Sequence, residues 1–296
     1  MDDAAAGFFS DTCRVGLSMA IVGVEGARFY DYGSMSRARA RLASPATVYE
    51  LASVTKTFTG VAAARALVEK RMALDDDFRA YLPDAYPNLQ SGGRPVTLRT
   101  LAAHTSGMPR DIPDTDAVMK TPDFDRLPTQ LLAIEQGFTP ADFAAALRRT
   151  TLRGTPGTAE QYSNAGMKVI ALGLEHVYRR SFESLLRATV FLPLRMRDTG
   201  FALRGDQASR LATASGRNRR PTPYHSINAG ASWGLYSTTR DMARYVAWQL
   251  DAKDPVIARA HALIEGDTSS GKGMIWNEAV DHGEPMLWHG GGSFGM

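Results

Sequence analysis

Three short stretches of this 296-residue chain carry side chains able to make and break an acyl bond. The first is Ser53-Val54-Thr55-Lys56, an S-x-x-K spacing. If Ser53 opens a helix, its hydroxyl and backbone N–H stand at the positive end of the helix dipole. Lys56 then follows one turn along the same face. Burial disfavours an ammonium, so a lysine held there can accept the proton of a serine nucleophile. Alone, the motif more often marks a capping serine followed by a surface lysine. The second stretch is Tyr162-Ser163-Asn164, placed just before a helical pattern. A phenol exchanges protons when a nearby cation stabilises its anion, and the Asn164 amide both donates and accepts. The third is His289-Gly290-Gly291, expected on a strand. Glycines there let a substrate lie against the backbone, and a free N–H can join that of Ser53 as an oxyanion hole.

Competing chemistries leave weaker traces. Residues 291–295 read Gly-Gly-Ser-Phe-Gly, a G-x-S-x-G that would make Ser293 the nucleophile of an elbow. That elbow needs a following helix and then an acid and a histidine, and only Met296 follows. Residues 266–272 match G-x-x-x-x-G-K, but Gly273 stands where a phosphate loop needs Ser or Thr, and a helical pattern precedes it instead of a strand. A polar loop is the expectation there. The six histidines, 104, 176, 225, 261, 282 and 289, show no metal-ligand spacing, and His104 and His176 read as capping or packing residues. Neither a metal nor an organic cofactor is implied.

The elements that must position these groups follow from periodicity. Val15, Leu17, Met19 and Ile21 alternate, and Glu25-Gly26 interrupts before Arg28-Phe29-Tyr30, which predicts a hairpin with one buried face. From Ser53 the period changes, with Val54, Phe58, Val61 and Val68 on one helical stripe. Residues 75–160 alternate breakers with short helical pieces, notably 96–104 and 140–149. A longer helix carries Met167, Ile170, Leu174 and Tyr178, and Thr238 or Thr239 caps another through Met242, Tyr245 and Leu250. Residues 273–276 and 286–289, Trp288 among them, flank a turn and predict a second hairpin. Strands at both chain ends with helices between imply an α/β (α+β) fold. Residues 1–75 and 205–296 form its sheet part, and 76–204 a mostly helical part.

Composition narrows the partners. The charge is +3, from 34 basic and 31 acidic residues, and the basic side chains are scattered, which excludes a nucleic-acid surface. The densest group, Arg217, Arg219 and Arg220, reads as a solvated loop. Cys13 is the only cysteine, so no intrachain disulfide forms. No apolar run approaches the roughly 18 residues of a membrane span. Met1-Asp2-Asp3-Ala4 lacks the basic and apolar regions of a signal peptide.

The ordered set S-x-x-K, Y-x-N and H-G-G resembles the serine β-lactamase and penicillin-binding peptidase superfamily, in its class C branch. Residues 101–111, LAAHTSGMPRD, look like that family's stretch after the first helix. Residues 193–201, PLRMRDTGF, and 232–245, SWGLYSTTRDMARY, are similar to two further segments, with Arg195 replacing a glycine. The H-T-S-x-x-P-R run looks most like the AmpH type of D,D-carboxypeptidase/endopeptidase. The resemblance implies a β-lactamase-like antiparallel sheet flanked by helices. It also implies acyl transfer without a cofactor: Ser53 as nucleophile, Lys56 and Tyr162 sharing the proton, and Asn164 orienting the substrate amide. The N–H groups of Ser53 and Gly292 would hold the oxyanion, and His289 and Gly291 would form the facing wall.

The implied substrates are peptidoglycan-type peptides, β-lactams or esters, in a periplasmic or secreted enzyme; a cytoplasmic location stays open. Where the family's β-lactamases and D,D-peptidases usually have a lysine, His289 stands here, as in variants similar to D-aminopeptidases, D-amino-acid amidases and esterases. Relatives continue past the glycine run with strands and a helix. Their loss would call for a strand-donating partner or a homo-oligomer, or would leave an inactive binding module.

Overall fold

The computed structural model describes residues 1–38, 41–223, 227–267 and 269–296. His225 and Thr268, both weighed above, lie outside the described residues. The chain opens with α1 (Asp2–Phe9), β1 (Gly16–Gly23), β2 (Gly26–Gly33), β3 (Val48–Glu50) and α2 (Thr55–Val68). The middle holds the short pair β4 (Gln90–Ser91) and β5 (Arg94–Pro95) and helices α3 (Leu98–Ala102), α4 (Asp116–Met119), α5 (Leu127–Glu135), α6 (Pro140–Leu147), α7 (Asn164–Tyr178), α8 (Phe182–Leu186) and α9 (Gln207–Arg210). It closes with β6 (Tyr236–Thr238), α10 (Thr239–Gln249), α11 (Pro255–His261), β7 (Asn277–Asp281) and β8 (Glu284–Trp288).

Among the described residues the strands form four antiparallel pairs: β1 with β2, β3 with β6, β4 with β5 and β7 with β8. The β3–β6 pair joins the two ends of the chain, as expected for a sheet built from both. The first hairpin turns at Val24-Glu25, with Gly23 opposite Gly26, and α10 packs against β1. Its buried face is shallower than the alternation predicts, since Ile21 is 50% exposed. The second hairpin is shifted from its expected place. Residues 273–276 are irregular because Gly273 N–H donates to Trp276 O, closing a tight loop before β7. Trp288 ends β8, so His289 lies just past the strand rather than on it.

Helix α2 also departs from expectation. Its stripe predicts one buried face, yet nearly every residue from Thr55 to Ala66 is buried. Small residues make this possible, because alanine, threonine and glycine let neighbours approach from all sides. A Cβ on Gly60 would stand 2.4 Å from Met274 O, so only glycine admits that crossing of backbones. The buried threonines are satisfied by specific partners. Leu235 N–H donates to Thr55 Oγ1 (3.1 Å), Tyr245 O–H meets Thr57 Oγ1 (3.1 Å) and Thr59 Oγ1 donates to Ala231 O (2.7 Å). Phe58 stacks on Tyr245 at 4.1 Å and meets the edge of Phe191 at 5.9 Å. Thr238, rather than Thr239, caps α10, accepting from Asp241 N–H.

Phe58 is fully buried at the centre of these contacts. Phe58→Ala is expected to cost about 3–5 kcal/mol of unfolding free energy, read from urea denaturation. A loss below about 1 kcal/mol would show that α2 is not the pillar of the core.

Candidate active site

Ser53 sits in a single 3₁₀ turn, Ala52–Val54, immediately before α2, and not at the first residue of the α-helix itself. Ala52 has φ +46°, a left-handed conformation unusual for a residue with a side chain. Such local strain concentrates where a neighbouring group must be held at a fixed angle. Lys56 follows one turn later, 0% exposed. Its Nζ lies 2.9 Å from Ser53 Oγ and donates to Ser232 O at 2.6 Å. Tyr162 Oη completes the group, 2.7 Å from Ser53 Oγ. Residues distant in sequence thus meet around one hydroxyl.

The stretch 104–111 holds Tyr162 in place. Gln161 N–H donates to His104 O (2.7 Å), Ser163 N–H to His104 Nδ1 (3.2 Å) and Asn164 N–H to Arg110 O (2.7 Å). Ser163 caps α7, accepting from Gly166 N–H while its hydroxyl donates to Pro109 O. The His104 ring packs on Tyr162 at 4.7 Å, and Lys56 Nζ and Arg110 Cζ lie 4.8 and 5.4 Å from the same ring's centre. Because a backbone N–H donates to Nδ1 of His104, that nitrogen carries the lone pair. Burial and the nearby Lys56 push the His104 pKa down to about 3.

Burial and nearby charges shift the amine and the phenol in opposite directions. Burial pushes Lys56 well below the ordinary lysine range; Asp111 opposes this, while Arg110 and Lys168 add to it. Burial pushes Tyr162 upward, partly offset by its bond to Ser53 and by Arg110. Burial thus moves Lys56 toward the neutral amine and Tyr162 toward the neutral phenol. His289 is also neutral: burial, then Lys56, lowers its pKa to about 4. Its Nδ1 lies 2.8 Å from Gly290 O, and a carbonyl only accepts, so Nδ1 carries the proton and Nε2 the lone pair.

Of the other expected residues, Gly291 touches the turn that carries Ser53. A Cβ there would lie 2.4 Å from Leu51 O and 3.1 Å from Val54 N. Gly292 faces open space. Asn164 is not bonded to Ser53 or Lys56; its Nδ2 donates to Asp111 Oδ1 at 2.7 Å. Ser293 Oγ is buried without a hydrogen-bond partner among the described residues, so nothing there activates it. Lys272, in the loop that mimics a phosphate motif, pairs with Glu160 Oε1 (2.9 Å) and Asn277 Oδ1 (2.8 Å). Among the described residues no group of three or more metal-ligating side chains converges. Sequence reasoning missed the Ser232 carbonyl and the roles of Arg110 and Asp111. A backbone acceptor leaves no side-chain signal, whereas Arg110 and Asp111 stand inside a stretch already notable for its pattern.

A sequence model of the Beta-lactamase family matches residues 1–296, and the chain belongs to that family of serine hydrolases. Protein flp of Staphylococcus aureus (strain N315) is 29% identical over 217 residues, 72% of this chain. The D-alanyl-D-alanine-carboxypeptidase/endopeptidase AmpH of Escherichia coli is 30% identical over 239 residues, 79% of this chain. The matched region spans 40% of the first relative's length and 57% of the second's. In three dimensions the chain is similar to a β-lactamase/D-alanine carboxypeptidase from Yersinia pestis, with a TM-score of 0.80 and 22% identity over 99% of this chain and 85% of that one. The corresponding protein from Pseudomonas syringae gives 0.78 and 19% over 95% and 74%. The fold is the β-lactamase/carboxypeptidase fold.

Two outcomes test this geometry. Gly291→Ala should displace the Ser53 turn and lower kcat about 10²-fold, the scale of a 1 Å misplacement, with the circular dichroism spectrum retained. His104 and His289, depressed to about 3 and about 4, take up protons on unfolding at mildly acidic pH. Their stabilisation is complete above the unfolded value of about 6.5 and is lost as pH falls toward 4 and then 3. Unfolding free energy measured from pH 7.5 to 4.5 should therefore fall. In His104→Gln the slope should be shallower by about one proton; an unchanged slope would rule out a neutral buried His104.

Proposed function

We propose that this protein is a serine hydrolase that works through an acyl-enzyme on amide bonds of D-amino-acid peptides of the cell-wall type, acting like a D,D-peptidase or D-aminopeptidase. The observation that carries this is the triangle at Ser53 Oγ, with a buried amine at 2.9 Å and a phenol at 2.7 Å. Neutral Lys56 accepts the Ser53 proton while Oγ attacks the scissile carbonyl carbon. The N–H groups of Ser53 and Gly292 hold the oxyanion. Tyr162, hydrogen-bonded to the same oxygen, passes a proton to the departing amine as the C–N bond breaks and is reprotonated from Lys56. Water then hydrolyses the Ser53 ester by the reverse proton path. The Ser232 carbonyl keeps the amine aimed at Oγ in each state.

The cleft lies between two parts of the chain on this proposal. Ser53, Lys56 and His289 come from 1–75 and 205–296, and Tyr162 and Asn164 from the helical part, 76–204. An extracytoplasmic location accords with such substrates. A carboxylesterase of the same family is the second reading, and neutral His289 favours it: an uncharged wall offers little to a substrate's free carboxylate.

A fluorescent penicillin or fluorophosphonate probe is expected to label Ser53, and Ser53→Ala to abolish the label. Lys56→Arg puts a permanent cation there that cannot accept a proton. It should lower kcat/KM by at least about 10³-fold, whereas a cation-only role for Lys56 predicts activity near wild type. D-Aminoacyl amides and simple esters should be turned over at least as well as D-Ala-D-Ala peptides, and strong preference for the free carboxylate would overturn the neutral-wall reading.

A further inference from the structure

Basic residues are spread thinly over most of the chain but gather in one segment. Residues 179–204 carry six arginines against two acidic residues, an excess larger than the +3 of the entire chain. Within it, α8 runs directly into a π-helical turn, Arg187–Phe191, in which Leu192 N–H donates to Arg187 O at 2.9 Å. Such turns are rare in proteins and recur at functional sites. Just beyond, Arg195 has φ +55°. That left-handed conformation suits glycine, and an arginine holds it against a steric penalty. Strain of this kind persists where the surrounding structure fixes it, and it clusters at ligand clamps.

Four of these side chains, Arg187, Arg195, Arg197 and Arg204, line one cavity of about 350 Å³, with buried Phe191 and Met196 supplying apolar surface. All four arginines are exposed, and among the described residues none of their guanidinium groups makes an ion pair or a hydrogen bond. The acidic residues of the segment do not neutralise them. Asp198 is taken by Arg210 Nη2 at 2.6 Å and Gln207 Nε2 at 3.2 Å, and Glu183, on the first turn of α8, does not line the cavity. A buried side chain holds the frame. Gln207 accepts from Arg204 N–H at 2.7 Å and donates to Arg197 O at 3.3 Å, which ties the backbone at 197 to that at 204.

We propose that this cavity is an anion site separate from the Ser53 cleft, and that it takes a ligand carrying two linked phosphate groups. None of its lining residues is among those bonded to Ser53, Lys56 or Tyr162. Like charges brought together repel, so an anion that fills the cluster stabilises the folded chain. Each guanidinium presents a planar fork that meets two phosphate oxygens at once. A single phosphate group carries about −1.5 to −2 at neutral pH, which leaves half of this positive charge unmatched. Two linked phosphates match it. Diphosphates occur on free small molecules and on lipid-linked ones, and Leu192, 60% exposed at the same cavity, offers an apolar contact to the second kind.

The test titrates inorganic pyrophosphate into the wild-type protein by calorimetry at about 0.15 M salt, where loose surface association is screened. One pyrophosphate per chain should bind, at least about tenfold more tightly than inorganic phosphate or sulfate. Arg195→Gly removes one fork and relieves the left-handed backbone. This variant should be as stable to heat as wild type and bind pyrophosphate about tenfold more weakly, the scale of one charge-assisted contact. Absence of saturable binding by wild-type protein, or equal affinity for sulfate, overturns the proposal. Unchanged affinity in Arg195→Gly overturns the assignment to this cavity. Farnesyl diphosphate then separates the two sources. Affinity at least about tenfold above that of pyrophosphate, lost in Leu192→Ser, assigns a lipid-linked diphosphate, and equal affinity assigns a free one.

Discussion

The structure depends on a lysine amine taken wholly out of water. Lys56 is fully buried, and an ammonium in that position would be expensive to desolvate. The fold meets that cost by shifting the group toward the neutral amine and by giving it two partners, Ser53 Oγ and Ser232 O. Much of the architecture serves to seal that position. Helix α2 is covered on every side, and its threonines bind the segment 231–235 and Tyr245, so the wall that supplies the Ser232 carbonyl is tied to the helix that carries the lysine. Loosening either one would admit water and weaken the burial that lowers the Lys56 pKa.

Charges around that amine are opposed rather than absent. Asp111 favours the ammonium, while Arg110 and Lys168 disfavour it. At an effective dielectric of about 20, a unit charge about 5 Å away contributes about 3 kcal/mol, enough to move a proton from one group to another. The balance therefore relies on position. Arg110 is fixed above Tyr162, Asp111 is fixed by Thr115 and Asn164, and the main-chain bonds from 104–111 to 161–165 keep both at their distances. The same stretch that orients the phenol also sets the electrostatics of the amine, which couples the two groups through one loop.

Similarity to other proteins has the same character. Identities of 19–22% accompany TM-scores of 0.78–0.80. A fold kept at such distance is held by packing and hydrogen bonding that many sequences satisfy. At the site of this chain, His289 commits its ring proton to Gly290 O.

The sequence by itself determined the family of the chain, the mixed class of the fold and the spacing of its chemistry. Ser53 and Lys56 are legible because an i, i+3 pair shares a helix face, and the first hairpin because its side chains alternate up to Gly26. Other features are decided between segments far apart, where no local pattern reports them. The all-round burial of α2 depends on Met274, Tyr245 and 231–235 arriving from the other end of the chain. The Ser232 carbonyl that aims Lys56 has no side-chain signature. The direction of the Asn164 amide is set by Asp111, 53 residues earlier. Local chemistry names the candidate groups; which of their protons and lone pairs point inward is fixed only when distant backbone and carboxylate partners close around them.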